Sequence, residues 1–274
     1  MNFTRHFRNQ RLQVRIAPVM RGVLFDSTIP FGEPELMRAS AYNHYLDEME
    51  ADSADGAPSS RLSSLSPSVQ ADLMRFEQDG GSSEVLEVVA ACVRHAKRLT
   101  VQLQCGERVL PLTVFPQERL VHCPMDLAEL VERHLPELRV LHVESALLRP
   151  PGDLDTALVA EDHLCHALGP LLWELAMRAQ RNELLPEIAG PAIYRVAPGL
   201  DVEALPAKGA VYAAILRLGR EAATLRDMVG WPGLDRERAA RLLNALYLQA
   251  GLIISRSHPD ATGKARWFRP LRGR

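Results

Sequence analysis

The sequence predicts an α+β fold. It predicts a small α+β N-terminal body (helix, antiparallel meander, helix, strand), then a helical segment, then a C-terminal unit of helices with a basic hairpin. Two observations lead to this prediction. Residues 84–143 alternate between apolar residues at helical spacing and apolar residues at every second position. From Thr224 to Arg274 the order is helix, turn, helix and a hairpin rich in arginine.

Charge is divided unevenly between the two ends of the chain. From Leu205 onward there are 13 Lys and Arg against 5 Asp and Glu. Subtraction from the whole-chain totals of 32 and 34 leaves 19 basic and 29 acidic residues in 1–204. A basic segment that follows an acidic body indicates either an anionic partner or an attraction between the two halves.

The composition is typical of a globular cytoplasmic protein. At 274 residues and 47% hydrophobic content, the chain is long enough for about two domains with real cores. It has no run of about 18 apolar residues, and the stretch 1–11 lacks the apolar centre of a secretory signal. Its four cysteines are isolated from each other, which predicts reduced, buried thiols.

The first elements of the predicted body are short. Residues 1–25 contain five arginines and no acidic residue, which fits either a phosphate-binding arm or a solvated edge strand. A helix is predicted over 34–49, with Pro34 near its first turn. Residues 51–68 contain few large apolar groups, so a flexible linker is predicted there. A further helix is predicted over 66–78.

The middle of the body is the most regularly patterned part of the chain. Helix 84–97 leads into strand 99–105, in which Leu99, Val101, Leu103 and Cys105 alternate with polar residues. Two more strands are predicted at 109–115 and 119–123. A short helix capped by Asp126 follows, and a last strand is predicted at 138–143. The run Pro150-Pro151-Gly152 ends this body, which is assigned to 1–150.

Part of this body resembles a known family. The helix EVLEVVAACVRHAKR, the hairpin LTVQLQCGERVLPLTVF and the strand QERLVHC, all within 84–123, are similar to the small α+β domain at the N-terminus of PatA-type bacterial response regulators. This resemblance implies a regulatory, protein-binding domain without catalysis. It implies no individual functional residues.

The remaining chain is divided into a helical connector, 151–204, and a C-terminal unit, 205–274. The connector is expected to be mostly helical, with a helix over 168–181 and an irregular stretch over 190–205. In the C-terminal unit, helix one covers about 209–221. Thr224 caps helix two, with Asp227 at the capping-box position; Asp235 caps helix three, and Gly251 ends it. With LIIS (252–255) and ARWF (265–268) as strands of a basic wing, the unit resembles a winged helix-turn-helix.

Two functions are compatible with such a unit. In the first, helix 235–250 and the basic wing bind DNA, because arginine and asparagine can contact base edges and cations suit phosphates. The residues that would contact DNA, or a protein partner, are Arg236, Arg238, Arg241, Asn244, Arg256, Lys264, Arg266 and Arg269. This predicts a DNA-binding transcriptional regulator.

The second function is favoured by the composition of helix three. Beside its main apolar stripe it carries Ala240, Ala245 and Leu248, so it is apolar on nearly all sides. Helices of this kind are usually buried against another element. This predicts packing on the body of the chain, or a dimer. The favoured prediction is therefore a non-catalytic regulatory protein whose winged helix serves for protein docking or dimerisation.

No catalytic, metal or cofactor motif is present in the sequence. It lacks G-x-S-x-G, H-E-x-x-H and GxGxxG. The run 162–166 with His122 and Cys123 contains metal-binding residue types but lacks the paired spacing of a zinc site. We therefore expect no cofactor, no metal and no enzymatic activity.

Overall fold

A five-stranded antiparallel sheet is the main layer of the computed structural model, which describes residues 36–52, 67–69, 71–72, 84–153, 158–178 and 181–256. The strand order is β4-β1-β2-β3-β5. The strands are β1 Leu99–Cys105, β2 Arg108–Phe115, β3 Leu120–His122, β4 Arg139–Ser145 and β5 Cys165–Ala167. The mixed helix and sheet content confirms the predicted α+β class.

The predicted alternation in β1 is confirmed. Leu99, Val101, Leu103 and Cys105 are buried, and the residues between them are half-buried. The predicted meander is also present, because β2 pairs with β1 on one side and with β3 on the other. The last strand of the body, β4, returns to pair with β1 and contains a bulge opposite Gln102 and Leu103. The inward side chains of these strands form one wall of the core.

Helical segments precede this sheet and lie between its third and fourth strands in the chain. They are α1 Ala39–Asp52, α2 Glu84–His95 and α3 Leu127–Glu129, which continues as a π turn Leu130–His134 and a 3-10 turn Leu135–Glu137. Asp126 caps α3 as predicted, since its carboxylate accepts the N–H of Glu129 at 2.9 Å. On α1, burial raises the pKa of Tyr42 to about 12, with further effects from Glu144 on β4 and from Tyr45. Helix α1 therefore lies close to β4.

The bounds of the first helix differ from the prediction. Helix α1 begins at Ala39 and continues to Asp52, so it starts later than 34 and takes up the first residues of the predicted linker. Residues 67–69 and 71–72 are helical, in agreement with the helix predicted over 66–78. Capping and packing decide such boundaries, and composition shows them poorly. The predicted arm and strands in 1–25 and the rest of helix 66–78 lie outside the described residues.

The stretch 151–204 is less helical than predicted. Its helix, α4 Leu168–Arg178, is present, and a 3-10 turn covers Asp162–Leu164. The rest includes β5, which extends the main sheet, and β6 Ile193–Val196, which lies in the stretch predicted to be irregular. Both strands are short and exist because they pair with segments elsewhere in the chain.

The C-terminal unit contains three helices and a strand in the predicted order. They are α5 Gly209–Arg220, α6 Leu225–Val229, α7 Arg236–Leu248 and β7 Leu252–Ser255. Thr224 and Asp227 form the predicted capping box of α6, and Asp235 caps α7. Strand β7 pairs with β6, and Ala223 bridges β6 from the other side. The second predicted wing strand, 265–268, lies outside the described residues.

The end of α7 differs from the prediction in one residue. The left-handed position is Ala250, with φ +56°, rather than Gly251. The N–H of Gly251 donates to Leu246 and that of Ala250 to Tyr247, which is the Schellman arrangement. Gly251 lies against Leu200, and a Cβ there would lie 2.7 Å from a Leu200 methyl carbon, so Leu200 would have to move.

Ala250→Gly is expected to raise the free energy of unfolding by about 0.5–1 kcal/mol. An alanine in the left-handed region is sterically strained, whereas glycine is not. Chemical denaturation of the purified protein measures this difference. The neighbouring change Gly251→Ala is the control and should lower stability, because its methyl group would clash with Leu200. Equal effects at the two positions would contradict this assignment of the helix end.

The buried apolar cluster is continuous across the described elements. It includes Val69, the inward faces of α2 and β1–β4, helix α4, and the C-terminal unit as far as Leu248. The described residues from Leu36 onward belong to one compact unit. The cluster thus crosses both proposed domain boundaries, at 150 and 204, which remain predictions. In the described part of the chain, no helix has the length and apolar character needed to cross a membrane.

Candidate functional site

Helix α7, which is helix three of the sequence analysis and the one that would contact DNA, is mostly buried. Its capped first turn is exposed, and the following turns are enclosed. Ala240, Ala245 and Leu248, which lie outside the main apolar stripe, are each at most 2% exposed. Among the described elements, the contact of α7 with α4 is the largest between two helices. The apolar residues on nearly all sides of α7 are therefore buried by other parts of the same chain.

Asn244 is fully buried in the middle of α7. Its Oδ1 accepts the N–H of Leu185 at 2.9 Å, and its Nδ2 donates to the carbonyl of Glu183 at 3.0 Å. These bonds satisfy two backbone groups that have left regular secondary structure. In this structure the amide is not available to DNA or to a partner, and it holds the segment 181–189 against α7.

Two arginines from the predicted contact set bind the same segment. The Nη2 of Arg241 donates to Asn182 Oδ1 at 2.8 Å. The Nη2 of Arg256 donates to the carbonyl oxygen of Glu187 at 2.6 Å. Both guanidinium groups thus contribute to intramolecular contacts. Arg241 and Arg256 lie on α7 and directly after β7, so the segment 181–189 is bound by two elements of the C-terminal unit.

The other side of the segment 181–189 is bound to α2 by buried charges. Arg181 forms an ion pair with Glu87, whose side chain is only 2% exposed. Glu187 pairs with Arg94, which also donates to Asp72 at 2.6 Å. Buried charges need such partners, because desolvation of an isolated charge costs several kcal/mol. The segment therefore connects the helix layer of the body to the C-terminal unit.

The C-terminal end of α7 has its own contacts with the sheet. Arg119, which follows β2 and has φ +57°, directs its guanidinium to the carbonyl of Leu248 and to Gln249 Oε1. Gln249 in turn donates to the carbonyl of Gly169 at 2.6 Å. A cationic group at the end of a helix complements the unpaired carbonyl groups there. Both ends of the enclosed part of α7 are thus fixed.

The first turn of α7 remains exposed and carries two more of the predicted contact residues. Arg238 donates to the carbonyl of Gly233 at 3.2 Å, and its side chain lies at the surface. Arg236 has no hydrogen bond or ion pair with another residue of the described part. The three wing residues Lys264, Arg266 and Arg269 lie outside the described residues. Of the predicted residues that the structure describes, Arg236 and Arg238 are the two that are exposed on α7.

Arg236 lies at the edge of an open groove, which we call the docking groove. Its volume is about 590 Å³. It is formed by the segment before and within β6 and by α6, and is lined by Leu184, Gly190, Pro191, Ala192, Tyr194, Thr224, Leu225, Arg226, Val229 and Arg236. Most of these residues are apolar, and Val229 is 41% exposed. The groove is therefore an apolar surface with two arginines, Arg226 and Arg236.

The local charges in the groove favour an anionic occupant. Like Arg236, Arg226 is exposed and forms no hydrogen bond or ion pair among the described residues. Asp227, next to Arg226, caps α6, and Asp235, next to Arg236, caps α7. Glu237, on the other side of Arg236, lies 3.8 Å from Arg241. Hydrogen bonds from the hydroxyl and then the backbone N–H of Thr224 lower the pKa of Asp227. Two accessible guanidinium groups can thus form charge-assisted hydrogen bonds with a ligand's carboxylates.

The cysteines and histidines do not form a comparable site. Burial raises the pKa of Cys92 to about 12 and that of Cys123 to about 11, so both thiols are protonated and poorly nucleophilic. Burial lowers the pKa of His122, with Glu161 acting in the opposite direction. Among the described residues, no group of three or more His, Cys, Asp and Glu side chains is placed to hold a metal ion.

The docking groove was missed by the sequence analysis because β6 was not predicted. Arg226 lies in the helix-turn-helix pattern, but Tyr194 and Leu184 come from a stretch that was assigned to an irregular connector. Three of the four residues in Ile193-Tyr194-Arg195-Val196 are apolar or aromatic and two are β-branched, which is the one signal that could have indicated a strand.

No protein-family model, curated protein or solved structure matches this chain.

Proposed function

We propose that this chain is a non-catalytic regulatory protein whose C-terminal unit, a winged helix, docks a protein partner or a second copy of the chain. The observation that supports this proposal is the enclosure of α7 together with the open docking groove beside it. The helix that would read DNA is used for packing. The accessible surface next to it is apolar with two arginines, a composition typical of protein interfaces.

An alternative function, DNA binding, is favoured by the exposed first turn of α7. Arg236 and Arg238 lie there, and the first residues of a recognition helix contact base edges in helix-turn-helix proteins. Against it, Asn244 and Arg241 bind the chain itself. DNA binding would therefore depend on the exposed first turn of α7, with Arg236 and Arg238, and the rest of the helix would not enter the groove of the DNA.

The experiment that separates the two functions uses the purified chain and two matched variants. Val229→Asp places a carboxylate in the docking groove. Val159→Asp is the control, because it makes the same chemical change at a valine outside the groove, and Val159 is 37% exposed against 41% for Val229. We expect a protein to be captured from cell extract, or a second copy to be bound, by the wild type and by Val159→Asp but not by Val229→Asp.

DNA binding is measured on the same samples by fluorescence anisotropy with labelled duplexes. We expect that the chain shows no DNA affinity of the kind that falls steeply as the salt concentration rises. Phosphate contacts release counterions, so a real DNA-binding surface must show that slope. A steep slope that is removed by Arg236→Glu with Arg238→Glu, together with equal capture by both Asp variants, would overturn the proposal in favour of DNA binding.

A further inference from the structure

We infer that the occupant of the docking groove is the acidic helix α1 of a second copy of this chain. The inference rests on the proposed function, since it names the partner of the same groove. It is carried by the opposite charges of the two surfaces and by the exposed aromatic ring on α1.

The groove supplies positive charge over an apolar floor. Arg226 and Arg236 form no hydrogen bond or ion pair among the described residues, and Arg226 acts on Asp227 only through its charge. Arg181, Arg241 and Arg256 are all bound within the chain. Unpaired guanidinium groups next to an apolar surface favour a segment that carries carboxylates beside an apolar anchor.

Helix α1 has the complementary composition. Its sequence, ASAYNHYLDEMEAD, contains four Asp and Glu and no Lys or Arg. Asp47 and Glu48 are exposed, and Glu48 contacts His44 of the same helix at 3.2 Å. Tyr45 is 48% exposed, with its ring centroid 6.0 Å from that of Tyr42. Tyr45 and Glu48 are three residues apart, so they lie on the same side of the helix. An exposed tyrosine next to carboxylates is the kind of anchor that the groove can accept.

The contact is between copies because α1 is fixed elsewhere in its own chain. The N–H of Ala39 donates to Glu107 at 2.8 Å, and the N–H of Val109 donates to Met37 at 2.8 Å. These bonds hold the start of α1 at the turn between β1 and β2, and Tyr42 lies near Glu144. None of the described groove-lining residues comes from α1.

One helix in one groove is a small interface. Standard interfaces bury roughly 1,200–2,000 Å², and smaller ones are weak and transient. We therefore expect a dissociation constant of about 10–100 μM. The contact joins two different surfaces, so two copies can exchange helices to form a dimer, or successive copies can form a longer assembly.

The test is sedimentation equilibrium of the purified full chain at low and high salt. We expect the average mass to rise above that of a monomer within about the 10–100 μM range. We expect it to return toward the monomer near 1 M salt, where the Debye length is about 3 Å. Arg226→Glu with Arg236→Glu should give a monomer, and Asp47→Arg with Glu48→Arg should also give a monomer.

The combined variant with all four substitutions decides the inference. Its charges are reversed on both surfaces, so association should return. The new glutamates lie in the first turns of α6 and α7, where negative charge suits the helix dipole, so folding should be retained. Arg226→Gln with Arg236→Gln is a milder second variant with the same expected loss. Arg139→Glu with Arg195→Glu, two exposed arginines outside the groove, is a control with an equal change in charge and should associate like the wild type.

A wild type that stays monomeric at all concentrations overturns the inference. So does a combined variant that stays monomeric, or an association that the groove variant leaves unchanged. These outcomes are distinct from failure of the proposed function. A monomeric chain that still captures another protein through Val229 retains the docking function and loses only this occupant.

Discussion

Replacing Glu87 with glutamine is expected to lower the free energy of unfolding by about 3–5 kcal/mol. The carboxylate is almost fully buried and pairs with Arg181, whose side chain is 15% exposed. Removing one partner of a buried ion pair leaves the other charge uncompensated, which costs far more than the pair itself contributes. Urea denaturation at neutral pH measures the loss as a change in the transition midpoint.

The control for this prediction is the same chemical change at an exposed pair. Glu129 accepts a hydrogen bond from Arg133 at 2.9 Å, with side chains 46% and 72% exposed. Glu129→Gln should cost less than about 1 kcal/mol. The double variant Glu87→Gln with Arg181→Gln should cost less than the sum of its single variants, because no charge is left alone. If the cost of the double variant equals the sum of the two single costs, a direct interaction between Glu87 and Arg181 is contradicted.

Replacing Asn244 with alanine is expected to lower the free energy of unfolding by about 3 kcal/mol. The change leaves the buried N–H of Leu185 without its partner, whereas the carbonyl of Glu183 keeps its bond from Arg181 Nε. One unsatisfied buried group costs about 1–3 kcal/mol, and the cavity left by the removed side chain adds to that cost. Thermal and urea unfolding measure the effect. The control Arg236→Ala, on the exposed turn of the same helix, should change stability by less than about 0.5 kcal/mol.

This prediction also bears on the two functions. An asparagine that served only to contact bases would be replaceable without loss of stability. A loss below about 1 kcal/mol for Asn244→Ala would therefore contradict the packing role described above and return Asn244 to the candidate DNA contacts. A large loss of stability would show that Asn244 stabilises the fold.

Local patterns predicted much of the fold. The alternation in β1 and the capping residues Asp126, Thr224 and Asp235 depend on neighbours within a few positions, so the sequence shows them directly. Strands β5 and β6 were missed because they have three and four residues and depend on distant pairing partners. Strand β6 pairs with β7, which lies more than 50 residues later in the chain.

The candidate site was harder to predict for the same reason. Asn244 and Arg241 have the residue types of DNA contacts, and only the position of the segment 181–189 shows that their hydrogen-bonding groups are occupied. A local signal was nevertheless present. Asn244 lies within Leu242-Leu243-Asn244-Ala245-Leu246, and a single polar residue in an apolar stretch of a helix is more often a buried hydrogen-bonding group than a contact.

The binding of the segment 181–189 from both sides has a consequence for synthesis of the chain on the ribosome. Helix α2 and its buried charges are made early, but the groups that complete the enclosure of the segment, Asn244 and Arg256, are among the last described residues. The nascent body therefore exposes apolar surface until α7 has left the exit tunnel. Domains usually fold as they emerge, N-terminal parts first. Here a premature stop codon before Leu248 would remove part of the core itself, and would release a chain with exposed apolar surface.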